Sequence, residues 1–174
     1  MSATSQAIAA ALQMGPGPGQ PVESVGSPLL NLAGSAVGAF VTTLVVGAIL
    51  VAVVPDYTER KMATLLDEPV GSFIYGFVSL IFFALVVLVL VITIIGIFVA
   101  IPLVLVLYIV WAVGASIAFL AIGERLVGRD DGWTKPLLVG AGINGALTLT
   151  GIGGILTLAI GAAGFGAVLR DFLD

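Results

Sequence analysis

The sequence predicts an all-α membrane protein, a polytopic helical bundle with one span followed by two helical hairpins. Of its 174 residues, 60% are hydrophobic and 9% are charged, whereas an ordinary soluble domain carries about 25% charged residues. The mean hydropathy is +1.24. The 6 basic residues lie in three short stretches, which are separated by two long uncharged runs, residues 69–123 and 136–169. Glycines mark the middle of these runs: Gly96 in the first, and Gly151, Gly153 and Gly154 in the second.

Residues 1–28 precede the first apolar segment. They contain one charged side chain, Glu23, and are rich in Ser, Gln, Gly and Pro. This composition favours a mobile chain, because it offers little apolar surface to bury. We therefore expect a disordered tail at residues 1–28 and a membrane domain at residues 29–174.

The first span and the first hairpin follow from length. Residues 29–54 are apolar or weakly polar, and about 20 such residues suffice to cross a bilayer. As a single helix, residues 69–123 would be about 80 Å long, against a hydrocarbon core of about 30 Å. This run must therefore fold back, and Gly96 is its predicted turn.

Residues 136–169 repeat this layout on a smaller scale, with the glycine-rich turn in the middle. Each arm has about 15 residues, or roughly 23 Å of helix. The arms form either two short spans in a thinned bilayer or a re-entrant pair shielded by other helices. In both cases the two ends of the run lie on the same side.

The distribution of Lys and Arg predicts the orientation. Cytoplasmic loops are enriched in these residues, and a Lys or Arg at a helix centre costs about 2.5 to 3.5 kcal/mol on insertion. The tail and both turns lack them, which predicts a multi-pass cell-membrane protein with the N-terminus outside and the C-terminus cytoplasmic. Five crossings then place every basic residue inside: Arg60, Lys61, Arg125, Arg129, Lys135 and Arg170.

A short helix is predicted between the first span and the first hairpin, on the inner membrane surface. Asp56 and Glu59 have the spacing of a capping box. An apolar stripe follows at i, i+3, i+4 and i+7: Met62, Leu65, Leu66 and Pro69. The helix is either a docking or lipid-sensing element or a connector with solvated charges. Its charged residues are Asp56, Glu59, Arg60 and Lys61.

Small and polar residues recur inside the predicted helices. Small residues spaced by four let helices approach closely in lipid, either within the bundle or between copies of the chain. They are Gly34 and Gly38, Gly114 and Ala118, Ala141 and Gly145, and Ala162 and Gly166. Asn144 and Thr148, one turn apart, either line a polar path or form interhelical hydrogen bonds.

Composition also excludes classes of function. Cys and His are both absent, which removes the side chains most used in catalysis and in soft metal sites. We expect no enzymatic activity, no cofactor and no metal site. A net charge of -4 offers no basic surface for nucleic acid. Few lysines and acidic loops are typical of a halophilic archaeal protein.

Three segments resemble a known family. They are residues 54–60 (Val-Pro-Asp-Tyr-Thr-Glu-Arg), residues 93–97 (Thr-Ile-Ile-Gly-Ile) and the closing glycine-rich hairpin. Together they resemble an uncharacterised multi-pass membrane module often attached to bactofilin-like polymer-forming proteins. This resemblance implies a non-enzymatic role in anchoring or organising partners at the cell envelope.

Two functions are consistent with these observations. The first is an envelope anchor in the lipid bilayer that binds a partner protein or forms a homo-oligomer. The alternative is a small channel or transporter for an unidentified solute, suggested by Asn144 in the last hairpin. The long uncharged runs count against the alternative, because ionisable residues within the membrane commonly mark ion and proton pathways.

Overall fold

The computed structural model describes residues 26–150 and 152–173, and these residues contain helices and no strand. The helices are α1 (Gly26–Val53), α2 (Pro55–Asp67), α3 (Pro69–Ile92), α4 (Ile94–Val127), α5 (Thr134–Thr148) and α6 (Gly153–Leu173). The predicted all-α fold is confirmed. Residues 1–25, which make up most of the predicted tail, lie outside the described residues.

The chain divides into two units between Asn31 and Leu32, inside α1. In the first unit, residues 26–31 are helical. The second unit contains the rest of α1 and the other helices described above. The packing described below is that of the second unit.

Among the described residues, four helical segments are long and apolar enough to cross a membrane: Leu30–Val53, Pro69–Ile92, Gly96–Val127 and Gly153–Arg170. The protein is therefore a membrane protein. Helix α5 has 15 residues, or about 23 Å, which is shorter than a hydrocarbon core of about 30 Å. The short-span and re-entrant alternatives for the last hairpin both stay predictions.

The long helices expose apolar side chains on their outer faces. Only 6% of the apolar window of α3 is buried, against 44% of that of α6. Continuous apolar surfaces of this extent are rare on soluble monomers. They are the surfaces that contact the lipid bilayer.

The two hairpins pack across each other. Helix α6 packs against both α3 and α4 more extensively than those two helices pack against each other, and α4 also packs on α5. The side chains of Ile117, Phe119 and Phe165 are fully buried. Because lipid tails are as apolar as leucine, this association depends on close packing of helix backbones.

Small residues allow that close packing. A Cβ atom at Gly76 of α3 would lie 2.8 Å from the carbonyl carbon of Ala162 on α6, and closer still to its oxygen. One at Gly114 of α4 would lie 2.5 Å from the carbonyl carbon of Gly164. On α1, a Cβ at Gly34 or Gly38 would meet none of the described residues within 4 Å. The small residues of α3, α4 and α6 therefore pack internally, whereas Gly34 and Gly38 lie on an open surface.

The turn of the first hairpin lies three residues before the predicted Gly96. The non-helical residue between α3 and α4 is Thr93, whose hydroxyl accepts a hydrogen bond from the Gly96 amide at 3.0 Å. This side chain caps α4 in place of a missing backbone partner. Gly96 lies in the first turn of α4, where a Cβ would collide with the Leu90 carbonyl. The turn at Thr93 therefore requires a small residue at position 96, although Gly96 is not itself the turn residue.

Helix α5 ends at Thr148 and α6 begins at Gly153, and the second turn joins them. The Thr150 hydroxyl donates a hydrogen bond to the Leu147 carbonyl oxygen at 2.8 Å. Gly153 and Gly154 are the first residues of α6. Gly151 lies outside the described residues, so the prediction that it forms the turn stays a prediction.

Candidate functional site

Helix α2 packs against α3, α4 and α6 at one end of the bundle. Its buried face differs from the predicted stripe and consists of Thr58, Lys61, Met62 and Leu65. Leu66 is 37% exposed. The buried face of α2 is shifted relative to the predicted stripe, because the position of the neighbouring helices, and not hydropathy alone, decides which face is covered. Lys61 is 2% exposed, so its ammonium is covered together with its stem, and its Nζ lies 5.7 Å from the centroid of the Tyr57 ring.

The predicted capping box at Asp56 and Glu59 is wrong. The N-cap of α2 is Val54, no side chain caps it, and Pro55 occupies the first turn. Proline needs no amide partner at this position, so the helix begins without a capping side chain. The buried Thr58 hydroxyl instead donates to the Val54 carbonyl oxygen at 3.0 Å.

Ion pairs connect α2 and its neighbours. Glu59 of α2 pairs with Arg129 at 2.7 Å, and Arg129 also lies 4.3 Å from the Trp133 ring centroid. Glu68, before α3, pairs with Arg170 of α6 at 2.6 Å. Solvent-exposed pairs of this kind contribute about 0 to 1 kcal/mol each, so they mainly fix geometry. We call this region, formed by α2, residues 124–135, Glu68 and Arg170, the charged end.

A groove of about 410 Å³ lies at the charged end beside α2. Met62, Ala63 and Leu66 form its apolar wall, and the charged residues at it include Arg60 and Glu124. Two of the four predicted surface-helix residues, Glu59 and Arg60, therefore lie at one groove. Lys61 is on the buried face, and Asp56 is exposed and does not line the groove.

A polar cavity of about 260 Å³ lies between α1, α4, α5 and α6. Its polar lining residues are Thr42, Thr43, Trp111, Ser116, Asn144 and Thr157, with Tyr108 beside them. Within the part of the chain that the structure describes, this lining contains no charged side chain. The cavity is thus rich in hydrogen-bonding groups but electrically neutral.

Asn144 is the central polar group of this cavity. Its Nδ2 donates to the Thr43 hydroxyl oxygen at 2.7 Å, which forms an interhelical hydrogen bond between α5 and α1. Its Oδ1 is buried without a hydrogen-bond partner among the described residues, as is the Thr157 hydroxyl oxygen. Leaving a buried polar group unpaired costs about 1 to 3 kcal/mol.

Of the two residues of the predicted polar path, Asn144 lines the cavity and Thr148 does not. The Thr148 hydroxyl donates to the carbonyl oxygen of Asn144 at 2.9 Å, within α5. Sequence reasoning missed Thr43 and Thr157. The adjacent Thr42 and Thr43 in the middle of an apolar segment were the available signal, because polar groups deep in a span need a partner.

A family model described as a domain of unknown function (DUF8173) matches residues 1–174. The chain belongs to this family. Comparison with curated proteins and with solved structures gave no match. The description of DUF8173 names no activity, so the geometry of the groove and of the cavity must support any functional proposal for this DUF8173 chain.

Proposed function

We propose that this membrane protein is a non-enzymatic anchor that organises a partner protein at the cell envelope. The groove beside α2 carries this proposal, because it combines an apolar wall with charged groups on a helix that the bundle holds in place. A rigid surface loses less conformational entropy on binding than a mobile one. The resemblance of residues 54–60 and 93–97 to the bactofilin-associated module supports the same role.

The groove favours a partner segment of mixed chemistry. Met62, Ala63 and Leu66 offer apolar contact. The lining carries two acidic and two basic side chains, and Arg129 pairs with both Glu59 (2.7 Å) and Glu124 (3.6 Å). Arg60 is the charged lining residue outside these ion pairs. A segment with apolar side chains and one acidic side chain would complement both features. We therefore propose an acidic, amphipathic segment of the partner as the occupant.

Site-specific photocrosslinking tests this proposal in native membranes. A photoreactive residue at Ala63 is expected to capture a defined partner, and Arg60→Glu should lower that yield about tenfold because charge reversal turns attraction into repulsion. The control is Arg125→Glu, which makes the same charge change at the charged end but outside the groove lining. Equal yields in both variants, or a chain that purifies with neither partner nor self-association, would contradict the proposal.

A second copy of this chain is a further candidate partner in the membrane. Gly34 and Gly38 lie one turn apart on an open surface of α1, and such pairs favour close helix contact in lipid. The double substitution Gly34→Ile and Gly38→Ile is expected to abolish crosslinked dimers in native membranes. Gly142→Ile is the control, since that position also has open space around it but lies on α5. A purely monomeric native pattern would count against this interface.

The polar cavity favours transport of a small solute as the second candidate function. It lies between four helices, opens at Gly38 and Thr42, and is lined by Asn144, whose buried Oδ1 has no hydrogen-bond partner among the described residues. If the chain conducts a small uncharged solute, liposomes that contain it should show a flux that Asn144→Leu reduces, because the replacement removes the polar group. No flux from either protein would remove this candidate.

A further inference from the structure

Asn144 lines the polar cavity between α1, α4, α5 and α6, and its buried side-chain oxygen is satisfied by no described residue. Asn144 is 7% exposed, and its Oδ1 has no donor. The hydroxyl oxygen of Thr157, another lining residue, is also buried, and it too has no partner in the part of the chain that the structure describes. We propose that this cavity binds a small uncharged solute that both donates and accepts hydrogen bonds, of the amide or polyol class.

The depth of the cavity argues for a bound solute. Thr43 lies about 15 Å along α1 from its end at Val53, and Asn144 lies about 15 Å along α5 from its start at Thr134. Both residues are therefore near the middle of a hydrocarbon core of about 30 Å. Lipid tails cannot satisfy polar groups at this depth, so a solute in the cavity would supply the missing partners.

The lining selects an uncharged solute. No charged side chain lies among the described lining residues to compensate a buried ion. An ion would lose its hydration and gain only neutral dipoles in return, which makes its transfer unfavourable. A neutral amide or alcohol keeps its hydrogen bonds without that loss.

The unpaired groups also require a donor on the solute. Asn144 Oδ1 can only accept, whereas the Thr157 hydroxyl can donate. A lipid ester carbonyl offers acceptors alone and would leave Oδ1 unpaired. The volume of about 260 Å³ holds a compact solute, given about 30 Å³ per water molecule. Gly38, Thr42 and Tyr108 are exposed residues of the lining and provide an opening.

The proposal that the cavity binds a solute depends neither on the proposed anchoring role nor on transport. A partner bound at the charged end would contact α2, away from Asn144. A cavity can also hold a solute without releasing it on the other side of the membrane. Binding to the purified full chain therefore tests the inference separately from crosslinking and from flux.

Tryptophan fluorescence provides the measurement. The chain has 2 tryptophans, so Trp133→Phe leaves Trp111, which lines the cavity, as the only reporter. The purified Trp133→Phe protein in lipid nanodiscs is titrated with acetamide and, separately, with acetate, which has nearly the same shape but carries a charge. We expect a saturable change in Trp111 emission with acetamide and none with acetate.

Three further substitutions in the Trp133→Phe background locate the site. Asn144→Leu should weaken acetamide binding about tenfold, and Thr157→Val about threefold, because each removes one hydrogen-bonding group. Thr148→Val should leave binding unchanged, because that hydroxyl bonds within α5 outside the cavity. Thr157→Val, which preserves side-chain shape, carries the test should Asn144→Leu fail to fold.

The inference is overturned by any of three results. The first is the absence of a saturable response to acetamide, which would leave water as the occupant. The second is an equal response to acetate. The third is unchanged acetamide binding in a folded Asn144→Leu or Thr157→Val protein.

Discussion

Replacing Gly140 with alanine is expected to lower the free energy of unfolding by about 3 kcal/mol. A Cβ atom at this position of α5 would lie 2.8 Å from the carbonyl carbon of Phe119 on α4, and closer still to its oxygen. The obstacle is backbone, so no side chain can rotate away and α5 must move as a unit. That displacement would also disturb the reciprocal contact, in which Gly123 of α4 packs against Pro136 and Gly140.

Gly142 provides the matched control on the same helix, two residues away. A Cβ there would meet no atom of the described residues within 4 Å, so Gly142→Ala should be neutral or stabilise by about 0.5 to 1 kcal/mol through helix propensity. Both variants can be unfolded in mixed micelles by increasing the fraction of sodium dodecyl sulfate, with helical circular dichroism as the signal. Equal midpoints for the two variants would show that close contact between α4 and α5 does not determine stability.

The same glycines show what could be predicted from the sequence. Spacing by four identified Ala162 and Gly166 as packing residues, because that spacing places small residues on one face of any helix. It could not show that this face contacts Gly76 of α3. That contact depends on α6 packing against both arms of the first hairpin, a tertiary arrangement that no local pattern encodes.

Helix α2 and the cavity show the same limit. The helix itself was predictable from its sequence, but Lys61 was expected on a solvated face and is buried. Hydropathy ranks a lysine as exposed, whereas its long apolar stem can be covered by a neighbouring helix. The candidate cavity was half predictable. Asn144 is conspicuous in an apolar run, but its hydrogen-bond partner Thr43 and the lining residue Thr157 lie on other helices.

Single-cysteine labelling is expected to place the two ends of the chain on opposite sides of the membrane. The native sequence contains no cysteine, so each introduced thiol reports its own position without background. A membrane-impermeant maleimide added to intact cells should label Ser5→Cys and leave Asp131→Cys and Asp174→Cys unlabelled until the cells are permeabilised. All charged residues except Glu23 lie on the predicted cytoplasmic side, so inversion would require moving nearly the whole charged surface across the membrane.

Thr150→Cys decides between the two alternatives for the last hairpin. This exposed residue lies in the turn between α5 and α6. Two short spans would bring it to the outer surface, where the reagent should label it in intact cells as fully as Ser5→Cys. A re-entrant pair would leave it within the membrane and protected on both sides, because α5, at about 23 Å, would end below the outer surface. Labelling of Ser5→Cys and Asp174→Cys from the same side would contradict both alternatives, since each requires an odd number of crossings.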